Sequence, residues 1–120
     1  MRIRGVRGAI QLDSDSSDEM VEAVAELLTQ MLTANHLEME DLVSIIFTAT
    51  PDLTSEFPAV AARKIGLGSV PLLCSVEIDV ADALPRVVRI LLHAYSDRPL
   101  AEIKHIYLRG ATVLRKDLAQ

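Results

Sequence analysis

The chain has 120 residues, a hydrophobic fraction of 50% and a net charge of −5. This length predicts a single domain, residues 1–120, with enough buried surface for a core, and the hydrophobic fraction excludes a disordered chain. The acidic charge argues against a nucleic-acid partner, because nucleic-acid binding usually needs a basic face. The only cysteine, Cys74, excludes an intrachain disulfide and a cysteine-based zinc site.

Membrane and secretion signals are also missing from the sequence. No apolar run reaches the roughly 20 residues that a transmembrane helix needs, and no apolar signal core follows residues 1–5. We therefore expect a cytoplasmic protein with no membrane partner. Aromatic residues make up only 3% of the chain. A small apolar chain with so few aromatic residues is expected to cover its sheet with neighbouring copies.

The first half of the chain predicts two strands separated by a long helix. Residues 2–12 form the first strand, whose two glycines indicate a bulge or a close backbone approach. Ser16 and Glu19 have the spacing of a capping box, which starts a helix that ends at Asn35. Residues 42–50 are a nearly continuous apolar run, which is typical of a strand buried on both faces.

The second half continues the alternation of helices and strands. Residues 58–65 are predicted to form a short helix with proline in its first turn, and residues 70–78 a second buried strand. A third helix follows, with an aspartate cap and an apolar stripe over residues 84–95. Residues 105–108 form the last strand, which residues 111–114 continue or pair with.

The resulting order, β-α-β-α-β-α-β, predicts an α+β or α/β-like fold, in which a mixed β-sheet has helices on one face. Only the first and third predicted helices are long, and we expect both on the same face. The opposite face is then left apolar. Packing against other copies of the chain is the simplest way to cover it.

Common catalytic and metal-binding motifs are missing. There is no Walker A loop, and the Gly-x-Gly of residues 66–68 is better explained as the end of a helix. The three histidines, His36, His93 and His105, are too scattered for a metal-ligand pattern. Cys74 lies inside an apolar strand, where we expect an inert buried thiol rather than a nucleophile. The sequence therefore predicts no metal and no cofactor.

Charged and polar residues among apolar or glycine positions are the candidates for chemistry. They are Arg7, Arg63, Glu77, Arg89, Tyr107 and Arg115. Each of them alone is more simply explained as a solvated surface residue or a strand end. Arginine supplies nine of the twelve basic residues. Its flat, permanently charged group suits carboxylates and phosphates, although codon bias is the simpler explanation of its abundance.

Several segments together resemble a known family. They are Arg4-Gly5-Val6-Arg7-Gly8-Ala9, Ala49-Thr50-Pro51-Asp52-Leu53, Phe57-Pro58-Ala59, residues 74–77 with Asp79, Arg89, and residues 105–108 with Ala111 and residues 113–118. Over residues 2–118 the chain resembles the small monofunctional bacterial chorismate mutases. The resemblance implies a homotrimer with a pseudo-barrel core and an active site at each subunit interface. It also implies the Claisen rearrangement of chorismate to prephenate in phenylalanine and tyrosine biosynthesis, without a cofactor.

The resemblance assigns a role to each candidate residue. Arg89 faces the ether oxygen of chorismate, and Arg7 and Tyr107 bind its carboxylates. Glu77 accepts a hydrogen bond from the ring hydroxyl and balances positive charge that develops on the ring. The other substrate-binding candidates are Phe57, Ala59, Arg63, Leu73, Cys74, Leu114 and Arg115.

Two departures and two alternatives accompany the resemblance. Cys74 and Glu77 are three residues apart, so in a regular strand their side chains face opposite sides. Val60 stands where some relatives have a basic residue, so the resemblance implies a weaker or differently arranged site for the carboxylates. The alternatives are an imine/enamine deaminase-like enzyme on a similar trimeric fold and a non-catalytic metabolite-binding trimer.

Overall fold

The computed structural model describes residues 1–114, which contain five strands and two α-helices. The strands are β1 (Arg2–Gln11), β2 (Leu42–Ala49), β3 (Leu72–Val76), β4 (Val87–Ser96) and β5 (Ile106–Leu108). The helices are α1 (Ser17–Ala34) and α2 (Ala59–Lys64), and 3₁₀ helices cover Met39–Asp41, Leu100–Glu102 and Arg109–Val113. Within this part of the chain, no helix is long and apolar enough to cross a membrane.

All five strands form one mixed sheet in the order β3-β2-β4-β1-β5. The central strand β4 pairs antiparallel with β1, from Arg2 opposite Ser96 to Gln11 opposite Val87. It also pairs antiparallel with β2, while the outer pairs, β2 with β3 and β1 with β5, are parallel. The mixed sheet with helices against one face confirms the predicted α+β class.

The predicted third helix is wrong, because residues 87–96 form the central strand β4. Alternate residues of this strand are buried against the helices, namely Val88, Ile90, Leu92 and Ala94. The residues between them, Arg89, Leu91, His93 and Tyr95, face the other side. A central strand with apolar side chains on both faces places apolar pairs at 87–88 and 91–92, which coincide with helical spacing. Pairing with a strand on each side decides the structure.

The ends of the last two strands also differ from the prediction. Residues 111–114 neither continue nor pair with β5, because the 3₁₀ helix Arg109–Val113 follows it directly. The strand predicted over residues 70–78 is shorter, since β3 ends at Val76. Even so, the N–H of Glu77 donates to the carbonyl of Ala49 at 2.9 Å, which extends the pairing with β2 by one residue.

The two helices cover one face of the sheet. The buried residues of α1 are Met20, Ala23, Val24, Leu27, Leu28 and Met31. They share one core with alternate residues of β1, β2 and β4 and with the alanines of α2. Gly8 of β1 permits this close packing, because a Cβ there would lie 2.5 Å from Met31 Sδ and 3.2 Å from Leu27 Cδ1. The close approach expected for the first strand is therefore confirmed at Gly8.

Within residues 1–114, neither α1 nor α2 covers the opposite face of the sheet, which we call the open face. It carries Ile3, Leu73, Leu91 and Tyr95, whose exposed fractions lie between 37% and 61%. Ile3 and Tyr95 are directly opposite each other in the register of β1 and β4, and Leu91 is opposite Arg7. The uncovered apolar face that the sequence predicts is therefore present.

The start of α1 is held by contacts of Ser16 and Glu19. The N–H of Glu19 donates to Ser16 Oγ at 3.2 Å, as the capping-box spacing predicts. The carboxylate of Glu19 accepts from the N–H groups of Asp13 and Ser14 and lies 3.2 Å from Nη1 of Arg109. These contacts, above all the N–H of Asp13, lower the pKa of Glu19 below its ordinary value of 4.5.

We predict that Glu19→Gln lowers stability at neutral pH and weakens the loss of stability in acid. A carboxyl group with a lowered folded-state pKa stabilises the fold fully above its unfolded pKa, near 4.5. This stabilisation disappears as the pH falls through the folded-state pKa. Urea unfolding at neutral pH and across the acid range measures both effects. Glu22→Gln, on the exposed side of α1, is the matched control, and equal behaviour of the two variants would contradict the prediction.

Asn35 joins the end of α1 to the segment that leads into β5. The residue is only 2% exposed, and its Nδ2 donates to the carbonyls of Met31 at 2.8 Å and Lys104 at 2.9 Å. Its Oδ1 accepts from the N–H of Lys104 at 2.8 Å. Buried polar groups need such partners, so these three bonds fix the position at which β5 begins.

Asn35→Ala is expected to lower the free energy of unfolding by about 2 kcal/mol, because it removes three hydrogen bonds of a buried amide and leaves backbone groups of Met31 and Lys104 without these partners. Lys104→Ala is the control, since only the backbone of Lys104 takes part and its side chain is exposed. The control is expected to change stability by no more than about 0.5 kcal/mol. Chemical denaturation measures both values, and similar losses would refute the role of the Asn35 amide.

Candidate functional site

Four of the predicted site residues come together in one cavity on the open face. The cavity has a volume of about 300 Å³ and is lined by Arg7, Gly8, Ile46, Thr48, Glu77, Arg89, Ile90, Leu91 and Tyr107. Arg7 comes from β1, Arg89 from β4 and Tyr107 from β5, while Glu77 directly follows β3. Residues distant in sequence thus converge, and we call this the arginine cavity.

The register of the sheet explains why these side chains meet. Thr48 of β2 is opposite Arg89 of β4, Arg89 is opposite Ala9 of β1, and Ala9 is opposite Tyr107 of β5. Directly opposed residues project from the same face, and Arg7 lies two positions before Ala9 on that face. This row of opposed residues and the adjacent row that contains Arg7 therefore supply most of the cavity, and Glu77 is added from the end of β3.

Arg89 and Glu77 form an ion pair inside the arginine cavity. Nε of Arg89 lies 3.1 Å from Oε1 of Glu77, and the side chains are 42% and 21% exposed. Nε is buried, and no acceptor in residues 1–114 meets its N–H with hydrogen-bond geometry. The contact is therefore an attraction between charges rather than a directed hydrogen bond. The other carboxylate oxygen, Oε2, accepts a hydrogen bond from Oγ1 of Thr48.

Tyr107 is held by a small apolar cluster of its own. Its side chain is almost fully buried, and the cluster consists of Ala9, Val87, Tyr107 and Ala111, with Leu84 and Leu114 packed against it. The predicted site residue Leu114 therefore supports Tyr107 but does not line the arginine cavity. Arg115, also predicted, lies outside the described residues.

Arg7 is fixed through its backbone. Its N–H donates to Nδ1 of His105 at 3.0 Å, at the point where the pairing of β1 with β5 begins with Gly8 opposite Ile106. Arg7 is half-buried, and the residues on either side of it in β1 pair with residues of β4. A cation on such a strand is well placed to meet a ligand in the cavity without first ordering a loop.

A second group of predicted residues lies apart from the arginine cavity. Phe57 and Cys74 line a larger cavity of about 520 Å³ between the segment around Thr50 and β3. Ala59 is buried in α2, whereas Arg63 is exposed on the same helix. The lining of the larger cavity carries little charge. The smaller arginine cavity is therefore the better candidate for ionic chemistry.

Cys74 and Glu77 serve different cavities, as their odd spacing predicts. Cys74 packs partly buried against the helix-side core, while Leu73 and Glu77 have the parity of the open face. Leu73 is 61% exposed there. The expectation of a buried thiol at Cys74 is therefore met only in part.

Besides Gly8 and Ile90, which have the parity of the helix-covered face, sequence reasoning missed three residues that line the arginine cavity from the open face, namely Ile46, Thr48 and Leu91. Ile46 and Thr48 lie in an apolar run that predicts only a buried strand, and Leu91 was assigned to the apolar stripe of a helix. The correct strand register would have identified them.

Within residues 1–114, no group of three or more histidine, cysteine, aspartate or glutamate side chains could hold a metal ion.

The arrangement suits a small dianion. Two guanidinium groups and a phenol surround a cavity with one carboxylate, in a chain whose net charge is −5. Guanidinium groups bind carboxylates through paired charge-assisted hydrogen bonds, and clustered cations in a partly apolar cavity focus a positive potential on the ligand.

Comparison with known proteins decides the family. The family model for chorismate mutase type I matches residues 3–118. This chain belongs to that family. The chorismate mutase AroH of Thermus thermophilus is 48% identical over 117 residues, which are 97% of this chain and 96% of that protein. The chorismate mutase AroH of Bacillus subtilis strain 168 is 38% identical over 120 residues, with coverages of 99% and 94%.

A solved structure from the same family has the same fold. The chorismate mutase from Clostridium thermocellum superimposes with a TM-score of 0.90 at 43% sequence identity, and the match covers 92% of this chain and 98% of that one. The resemblance predicted from sequence motifs is confirmed. Neither alternative, a deaminase-like enzyme or a non-catalytic metabolite-binding trimer, is supported by these comparisons.

Proposed function

We propose that this chain is an isomerase that converts chorismate to prephenate, acting as a homotrimer with active sites between subunits. The observation that carries the proposal, beside the family membership, is the arginine cavity, where Arg7, Glu77, Arg89 and Tyr107 meet. We also propose a cytoplasmic location, which cell fractionation tests.

The reaction is an intramolecular rearrangement in which one ether C–O bond breaks while one C–C bond forms. No proton transfer, nucleophile or cofactor is required, so the enzyme needs only to bind, orient and stabilise charge. The substrate is a flexible dianion, and the reacting ends meet only in a compact, chair-like conformation. Holding that conformation removes much of the entropic barrier.

Arg89 is the residue proposed to stabilise the transition state. As the C–O bond breaks, negative charge develops on the ether oxygen, and a preorganised cation beside it favours the transition state over the ground state. One such donor is commonly worth about 3–4 kcal/mol. The ion pair of Nε with Glu77 holds the guanidinium in place and leaves its Nη atoms, farther along the side chain, to meet the substrate.

Arg7 and Tyr107 are the proposed partners of the substrate carboxylates. Arg7 offers a charged pair of N–H donors on β1, and Tyr107 offers a hydroxyl on β5 next to it. Glu77 is proposed to accept a hydrogen bond from the ring hydroxyl and to balance positive charge that develops on the ring. Its charge also keeps the cavity from being purely cationic.

The trimer is proposed because the candidate site residues form two separate groups within one chain. Phe57, Ala59, Arg63 and Cys74 are resemblance-based candidates, yet they do not line the arginine cavity. The open face beside that cavity carries exposed apolar residues, including Leu73. Association through this face would cover the apolar surface and bring the second group from a neighbouring copy to the arginine cavity. We expect a solution mass about three times the 13.1 kDa of the chain.

Arg89→Ala and Arg89→Lys are expected to lower kcat by at least about 100-fold, because each removes or misplaces the charge at the ether oxygen. The assay follows loss of the diene absorbance of chorismate and confirms prephenate as the product. Arg2→Ala, which removes the same charge at the far end of β1, is the control and is expected to retain activity. Wild-type protein that forms trimers but does not convert chorismate would overturn the proposed function, and an active Arg89→Ala variant would overturn the role of Arg89.

Mixing two variants tests whether each site is shared between subunits. Arg63→Ala and Arg89→Ala are expected to be impaired when each is alone. Suppose that the two arginines of one site come from different subunits. After an equal mixture of the two variants is unfolded and refolded, about a quarter of the sites then contain both native arginines. Activity is then expected to recover to about that fraction. If both arginines come from one subunit, every site carries a substitution and activity stays at the level of the separate variants.

A further inference from the structure

Thr48 contacts the carboxylate at the centre of the arginine cavity, although no motif singles it out. It lies on β2, between its cross-strand partners Ser75 of β3 and Arg89 of β4. Its Oγ1 donates a hydrogen bond to Oε2 of Glu77. The residue lines the arginine cavity itself, so this contact forms at the site and not in a distant supporting layer.

The Glu77 carboxylate is held at both oxygens. Oε1 lies 3.1 Å from Nε of Arg89, and Oε2 accepts from Thr48. Glu77 follows the last residue of β3, and its long side chain has several freely rotating bonds. Unless a second contact fixes the carboxylate, it samples many orientations, and ordering it costs conformational entropy.

We propose that Thr48 is a positioning residue, whose hydroxyl fixes the Glu77 carboxylate in the orientation that holds Arg89. This inference rests on the proposed function, since it assigns Thr48 a part in the same rearrangement. Thr48 touches the carboxylate and acts on the substrate only through Glu77 and Arg89. Its effect therefore belongs to the chemical step more than to substrate binding.

The place of Thr48 in the sheet suits this task. A β-branched side chain has a restricted χ1 angle, and β2 is hydrogen-bonded to strands on both sides. The hydroxyl is therefore presented from a rigid position. Valine has nearly the same shape without the hydroxyl, whereas serine keeps the hydroxyl without the methyl group. These two substitutions separate the hydrogen bond from packing.

The test compares Thr48→Val with Thr48→Ser. Loss of a hydrogen bond to a charged group is expected to lower kcat of Thr48→Val by about 10-fold to 100-fold, with a much smaller change in KM. Thr48→Ser is expected to retain most of the wild-type kcat. Ser44→Ala, which removes a hydroxyl from the same face of β2 near His93, is expected to remain active. Solution mass and thermal unfolding of every variant verify that the assembly is intact.

A double-mutant cycle shows whether Thr48 acts through Glu77. In a Glu77→Gln background, Thr48→Val is expected to cause little further loss, because the charged partner of the hydroxyl is already gone. Equal losses from Thr48→Val in both backgrounds, or similar kcat values for wild type and Thr48→Val, would overturn the inference.

Crystal structures separate this inference from the proposed function. In Thr48→Val the Glu77 carboxylate is expected to leave its position beside Nε of Arg89, and in Thr48→Ser it is expected to stay. These two structures would support the positioning role of Thr48 even if the wild-type protein failed to convert chorismate. Failure to convert chorismate would count against the proposed function alone. An unmoved carboxylate in Thr48→Val would refute the positioning role whatever the activity.

Discussion

The antiparallel pairing of β4 with β1 and with β2 places Arg89 between Ala9 and Thr48 in one row across the sheet. Everything else about the arginine cavity depends on this row. The parallel pairing of β5 with β1 adds Tyr107 at one end. The parallel pairing of β3 with β2 brings Glu77 to the other end. Backbone hydrogen bonds, rather than contacts among the charged side chains, assemble the cavity.

The sequence predicted most of the fold because its local signals agree with the tertiary structure. The Ser16 cap, the end of α1 at Asn35 and the apolar run of β2 each reflect local physics that the fold keeps. Residues 87–96 were assigned to a helix because a strand that is apolar on both faces imitates helical spacing. Only the strands on either side of β4 distinguish the two structures, and their positions are not encoded locally.

The candidate site could be predicted as a set of residues but not as a geometry. Family motifs identified Arg7, Glu77, Arg89 and Tyr107, which the structure brings together. Thr48 remained unnoticed, because a threonine in an apolar strand has no distinguishing sequence pattern and its contact with Glu77 spans 29 positions. The separation of Phe57 and Cys74 from this group likewise depends on which face each strand residue occupies.

A site built on strands limits how the chain can change in length. Insertion of one residue into β4 ahead of Arg89 would turn its guanidinium from the open face towards α1, because side chains alternate along a strand. Residues 78–83, between Glu77 and Leu84, have no such constraint, since they are exposed and lie in neither strand. Related chains are therefore free to gain or lose residues within 78–83, while the spacing within β1 and β4 must stay constant.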